Sequence, residues 1–367
     1  MNPHHPALQQ FFFLDGRTHW QIRQFDYVEV ERQLDDDGLG FYRKRFLKTA
    51  DGRDFSYWTE REIRFVSHFA SVKTPQVARP KRVEYGGAAV KQVDTQDAGP
   101  SLDNWLKLRV SPAHRPDRIG PLFADHADIA RLLCACLQAL HGLHQDGIIH
   151  CDIKADNICL GYLGTPLTED GLRLDYARLS LIDFSFSVWP DTRTWELTQA
   201  LPIAPDAAAA DYISPYFKAI LREDQLVEEE NQRLARKGKA GKPPQAWQRL
   251  NYSVDLFALG VMLRKLLDHL DAQRRDIVSE NPLETFLYDL AADWQNRYAE
   301  GHVPGELPHL AEIAKIQERF AHVAEWERSG QFIPREAPRV AIPKPTPIVN
   351  PTPIPTPIFT PPRRQIP

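Results

Sequence analysis

Cysteine is scarce in this chain, with four in 367 residues. Cys134, Cys136, Cys151 and Cys159 never fall in the C-x-x-C spacing of a structural zinc site. A disulfide scaffold and a zinc module are both excluded, and so few thiols in a long chain fit a reducing, cytoplasmic setting. Cys134 and Cys136 sit in an apolar helical pattern and read as small hydrophobes. An excess of either charge is also missing. Lys and Arg number 45 against 49 Asp and Glu, a net charge of −4, which implies no nucleic-acid or polyanion partner. No stretch approaches the ~20 apolar residues of a membrane span. Met1 to Gln10 lacks the basic region and apolar core of an export signal, so no membrane association is expected. Hydrophobic residues make up 43%, ordinary for a globular protein, and the length suits two lobes plus an extension.

What is present is concentrated in two short stretches. In Ile149-His150-Cys151-Asp152-Ile153-Lys154-Ala155-Asp156-Asn157-Ile158, a carboxylate, a lysine and an asparagine stand between apolar flanks. Downstream, Leu179-Ser180-Leu181-Ile182-Asp183-Phe184-Ser185 has the pattern of a buried strand that delivers one aspartate at its end. A solvated Asp/Asn turn would explain the first stretch alone. It does not explain a long amphipathic segment before it and a second apolar strand after it.

The pair resembles the catalytic loop (H-R-D-x-K-x-x-N) and the metal-binding D-F-G of protein kinases. Phosphoryl transfer asks a protein mainly for positioning and charge neutralisation. The resemblance implies ATP and Mg²⁺ as cofactors. It makes Asp152 the base for the attacking hydroxyl and places Lys154 beside the transferring phosphate. Asn157 and Asp183 become hard oxygen ligands for Mg²⁺. The implied fold is α+β and two-lobed. A small antiparallel β N-lobe with one main helix would span residues 9–97. A larger, mostly helical C-lobe would span 98–333, with inserts near 161–178 and 221–250, followed by a proline-rich, disordered tail over 334–367.

Local patterns fill in the lobes. Phe11 to Leu14, Trp20 to Leu34 and Phe41 to Lys48 read as strands, broken at Asp15-Gly16 and Asp35-Asp36-Asp37-Gly38. A helix follows from about Ser56 to Phe69, with Glu62, Phe65, Val66 and Phe69 on one face. A carboxylate in an apolar stripe needs a partner. Lys48 is the preferred one, because apolar Phe46 and Leu47 precede it. Lys44, preceded by Arg43, is the alternative at a workable separation. By resemblance, Lys48 would hold nucleotide phosphates and Glu62 would orient it. Asp94 and Gln96 fall at the implied interlobe hinge, where adenine is read through backbone N–H and C=O groups. His126 to His144 forms one helical stripe through Ile129, Leu132, Leu133, Cys136, Leu137, Leu140 and Leu143. His141 and His144 read as packing or surface residues. Residues 161–177 read as an inserted hairpin and 221–250 as a solvated helix and loop. Ser253 to Leu263 resembles the D-x-W/F-x-x-G-x-x-L core helix of kinases, with Asp255 free to accept N–H bonds from the catalytic loop.

Several positions depart from the kinase pattern. No G-x-G-x-x-G precedes the strand lysine, and only Asp15-Gly16 could cover phosphates. Cys151 replaces the usual arginine, so activation by loop phosphorylation is not expected. Ser185 replaces glycine, Tyr216 replaces an anchoring glutamate, and Ala209 stands where Ser/Thr-specific members carry threonine. The leading expectation is a bacterial-style protein serine/threonine kinase acting on a protein substrate. The alternatives are a pseudokinase scaffold that recruits partners through its tail, and a small-molecule kinase of the same fold, against which Lys154 argues. The tail, about one-third proline, repeats Pro-Thr-Pro-Ile three times and carries four Thr-Pro pairs that could serve as docking or modification sites.

Overall fold

The computed structural model describes residues 19–24, 28–47, 56–71, 76–86, 89–110, 125–163, 173–190, 210–273, 282–303 and 305–329, with a few single positions between them. The expected strand at Phe11–Leu14, the Asp15-Gly16 turn and the proline-rich tail lie outside these residues. The run from Trp20 to Leu34 divides into two strands, β1 (His19–Gln24) and β2 (Val28–Leu34), paired antiparallel with His19 opposite Gln33. Asp35 then closes a tight turn, its carboxylate accepting the N–H groups of Asp37 (3.1 Å) and Leu39 (2.7 Å). Gly38 supplies the positive φ (75°) that returns the chain into β3 (Gly40–Phe46). Strands β4 (Pro80–Gly86) and β5 (Ala89–Gln96) complete an antiparallel sheet in the order β1-β2-β3-β5-β4.

Helix α1 (Ser56–Ser71) covers one face of this sheet, where Ile63 and Val66 meet Val93, Phe46 and Val83. The opposite face is charged. Arg43 binds Asp94 through two 2.8 Å bonds, and Arg45 reaches Glu31 at 3.0 Å. Alternation along each strand sends these pairs away from Lys44 and Val93.

The larger lobe is helical. It comprises α2 (Leu102–Val110), α3 (His126–Gln145), α4 (Pro215–Ala235), α5 (Ser253–Gln273), α6 (Pro282–Tyr298) and α7 (His309–Ser329). Helix α3 is capped by Asp125, whose carboxylate accepts the Asp128 N–H at 3.0 Å. All seven stripe residues named from the sequence are buried, in one core with residues of α5 and of a two-stranded sheet, β6 (Ile158–Leu163) and β7 (Arg173–Leu181). Helix α5 is buried along most of its length. Gly260 lets it approach α6, since a Cβ there would lie 3.1 Å from Trp294 Cβ. Cys136, Cys151 and Cys159 are buried, and burial pushes the Cys159 thiol up to about 12.

The 221–250 region is more than a solvated insert. Asp224 on α4 is buried and accepts the N–H groups of Ala246 (2.8 Å) and Trp247 (3.0 Å). Trp247 and Leu250 fill a core with Phe217, Ile220 and Leu221. Among the described residues, no helix is long and apolar enough to cross a membrane.

Candidate active site

The β6–β7 ladder brings the two motifs together. Asn157 stands at the entrance to β6 and Asp183 just past the end of β7, and the antiparallel register sets Ile158 opposite Leu181. The Ile182 N–H donates to the Asn157 carbonyl at 3.1 Å, so Asp183 emerges beside the loop that carries Asp152. Within that loop, Lys154 Nζ binds both Asp152 oxygens, at 2.9 and 2.8 Å. The Asn157 amide nitrogen donates to the Asp152 carboxylate (2.8 Å) and to its backbone carbonyl (2.9 Å). These bonds use the donor end of Asn157 and leave its amide oxygen as the atom with ligand character.

Asp183 adopts a left-handed backbone (φ 65°), which costs energy for a non-glycine residue and marks a position held by its surroundings. Burial pushes its carboxyl upward. The Lys44 charge, the Ser185 hydroxyl bond (2.6 Å), His150 and Lys154 outweigh burial and hold it down at about 2. The carboxylate is therefore ionised throughout the physiological range and suited to a divalent cation.

Lys44 supplies the upper half of the cleft. Its Nζ lies 2.5 Å from Glu62 Oε2 and 3.7 Å from Asp183 Oδ1. Burial raises the Glu62 carboxyl and Lys44 counters only part of that effect. The sequence argument preferred Lys48 as the partner of Glu62, and this is corrected. Lys48 lies outside the described residues, and the ion pair is made by Lys44. The physical reason is the strand's two faces. Arg43 and Arg45 flank Lys44 in sequence but point to the charged outer face, so a lysine between arginines can still face the apolar helix. Asp94, expected at the link for its backbone groups, commits its carboxylate to Arg43 on the face away from Lys44. Gln96 ends β5 with an exposed side chain, and its N–H donates to the Arg79 carbonyl at 2.7 Å.

A buried frame holds the loop. Asp255, at the start of α5, accepts the N–H groups of His150 and Cys151, each at 2.8 Å. Cys151 has φ 65°, so these two bonds secure an otherwise costly conformation. His144 Nε2 lies 2.9 Å from Asp255 and His144 Nδ1 lies 2.9 Å from His309 Nε2, a three-membered polar chain with no exposed member. Sequence reasoning missed this role for His144 and His309. The signal was available only weakly, as a histidine at the apolar end of a core helix. The His150 ring reaches the Ile182 carbonyl at 3.1 Å and packs 4.8 Å from Phe184. Phe184 in turn packs on Phe65 and Phe69 of α1. Arg61, next to Glu62, donates to the Ser187 carbonyl at 2.6 Å, and the Ser187 hydroxyl donates to the His150 carbonyl at 3.2 Å. Helix α1, the loop and the segment after Asp183 are thus joined through buried contacts.

Tyr216, where the kinase pattern has a glutamate, anchors its own surroundings. Its N–H donates to the Ala299 carbonyl at 3.0 Å, its hydroxyl donates to the Arg249 carbonyl, and its ring lies against Gly301.

A five-stranded antiparallel sheet with one helix, a lysine–glutamate pair over an aspartate, and a helical lobe carrying the Asp152–Asn157 loop together form a two-lobed α+β fold. No protein-family model matches the sequence. A stretch of 48 residues, 13% of this chain, is 50% identical to the serine/threonine-protein kinase max-2 of Caenorhabditis elegans, and it represents 7% of that protein. The BubR1 kinase domain aligns with a TM-score of 0.47 and 17% identity over 84% of this chain and 82% of that one.

Proposed function

We propose that the protein transfers the terminal phosphoryl group of ATP to serine or threonine hydroxyls of a protein substrate. The observation that carries this reading is the meeting of Lys44, Glu62 and Asp183 at one end of a cleft whose other end holds Asp152, Lys154 and Asn157. Asp183 and Asn157 supply oxygen donors of the hard type that Mg²⁺ takes, and bound Mg²⁺ would neutralise charge on the nucleotide phosphates. Lys44, oriented by Glu62, would hold those phosphates. Asp152 would take the proton of the acceptor hydroxyl as its oxygen bonds to phosphorus and the bond to the leaving diphosphate breaks. Lys154 is placed to exchange its contact with Asp152 for the transferring group. Its presence favours a protein over a small-molecule acceptor, and the short likeness to a serine/threonine kinase supports the choice of hydroxyl.

The test is incubation of the full chain with labelled ATP, Mg²⁺ and a generic protein acceptor, followed by mapping of the labelled hydroxyls. Asp152→Ala is expected to lower transfer by about 10²–10⁴-fold, the usual contribution of a positioned base. Asp183→Ala is expected to abolish it. Full activity in either variant would reject the assignment.

A further inference from the structure

The link between the lobes spends its polar groups on the chain itself. Gly99 N–H donates to the Asp97 carboxylate at 2.9 Å, and the Gly99 carbonyl accepts the Tyr42 hydroxyl at 3.2 Å. Asp97 also accepts two bonds from the buried Arg32 of β2, at 3.2 and 2.5 Å, and the Arg32 guanidinium lies 5.9 Å from the Tyr42 ring. Two glycines make room for this cluster. A Cβ on Gly40 would lie 2.2 Å from the Asp97 carboxylate, and one on Gly99 would lie 2.3 Å from the Leu160 carbonyl.

The cluster spans the cleft. Arg32 and Tyr42 come from the upper sheet, where they are register partners. Below, the charges of Arg32 and Asp97 reach the Cys159 thiol and the Tyr162 hydroxyl on β6. Tyr42 lies two residues before Lys44 on β3, hence on the same face and about 7 Å along the strand from it. Phosphates held at Lys44 and Asp183, with the acceptor at Asp152, would direct the rest of a nucleotide toward Tyr42 and the 97–101 link. There an aromatic ring, a part-buried ion pair and already satisfied backbone groups occupy the path. A base entering would have to displace them and would find no free hydrogen-bonding edge on Gly99.

We infer that this cleft grips its nucleotide by the triphosphate alone and does not read the base, because the Arg32–Asp97–Tyr42 cluster fills the place where a base would lie. The inference rests on the phosphotransfer reading and makes the substrate a magnesium-bound triphosphate of any base. In the wild-type full chain, Mg-ATP, Mg-GTP and inorganic triphosphate with Mg²⁺ are expected to bind within about threefold of one another by calorimetry. Tyr42→Ala opens the path and frees the Gly99 carbonyl. It should tighten ATP about tenfold while leaving triphosphate within about twofold. Tyr42→Phe, which keeps the ring and removes only the hydroxyl bond, should give a smaller gain in the same direction and guards against misfolding of the alanine variant. Wild-type preference for ATP over triphosphate of tenfold or more would overturn the inference, as would unchanged ATP binding in both variants. Failure of the phosphotransfer reading is seen separately: Asp183→Asn would then leave triphosphate binding intact, whatever Tyr42 does.

Discussion

At the scale of single residues, the choice between Lys44 and Lys48 shows what a sequence pattern hides. Neighbouring side chains in a strand point to opposite faces, so the polarity of the preceding residue says nothing about where a lysine points. Lys44 is flanked by two arginines and still faces Glu62 and Asp183. Lys44→Met is therefore expected to cut phosphotransfer at least tenfold more than Lys48→Met, measured as initial rate at saturating ATP. Equal losses would return the role to Lys48. The loop motif was legible because its members lie close in sequence and bond one another directly: Lys154 and Asn157 both donate to the Asp152 carboxylate. Asp94 was not legible, because a hinge acts through backbone atoms and leaves its side chains free for other work, here a bidentate bond to Arg43.

At the scale of elements, helices with a clear apolar period were readable and their polar attachments were not. The α3 stripe follows from its spacing, whereas the 221–250 region looked charged and solvated. A buried carboxylate, Asp224, tethers the turn at Ala246 and Trp247 to α4, and Trp247 and Leu250 pack into the core beside it. Asp224→Ala would leave two N–H groups without that acceptor, each worth roughly 1–3 kcal/mol when buried. A loss of about 2–4 kcal/mol in urea unfolding is expected, and a change below about 0.5 kcal/mol would show that the tether is dispensable. Helix α1 is bound in a different way. Arg61 reaches Ser187, while Phe65 and Phe69 enclose Phe184, so the helix that bears Glu62 is joined to the segment after Asp183 by a buried hydrogen bond and ring contacts.

At the scale of the whole molecule, the Asp152–Asn157 loop is tied to α5, α3 and α7 by the chain from Asp255 through His144 to His309. Burial, then the nearby His144 and His141, hold His309 down at about 3, against an ordinary value of 6.5. A histidine kept neutral in the folded state contributes its full stability above pH 6.5. That contribution is lost as pH falls from 6.5 toward 3, because the unfolded chain takes up the proton first. Stability should fall across this window with a slope of up to about 1.4 kcal/mol per pH unit from this residue. Guanidinium unfolding at pH 7.0 and 5.5 checks it: His309→Gln should flatten the dependence, and an equal slope in both proteins would show that other groups carry it.

The buried thiols have a practical use. Cys151 lies inside the loop, beside Asp152, and Cys159 lies on the strand that follows it, and burial raises both groups above ordinary thiol values. Alkylating reagents attack the thiolate, so neither sulfur is open to them while the loop is seated. The native sequence thus carries its own pair of reporters for transient opening of this region, and the labelling rate at these positions becomes a clock for how often the Asp152–Asn157 loop leaves its frame.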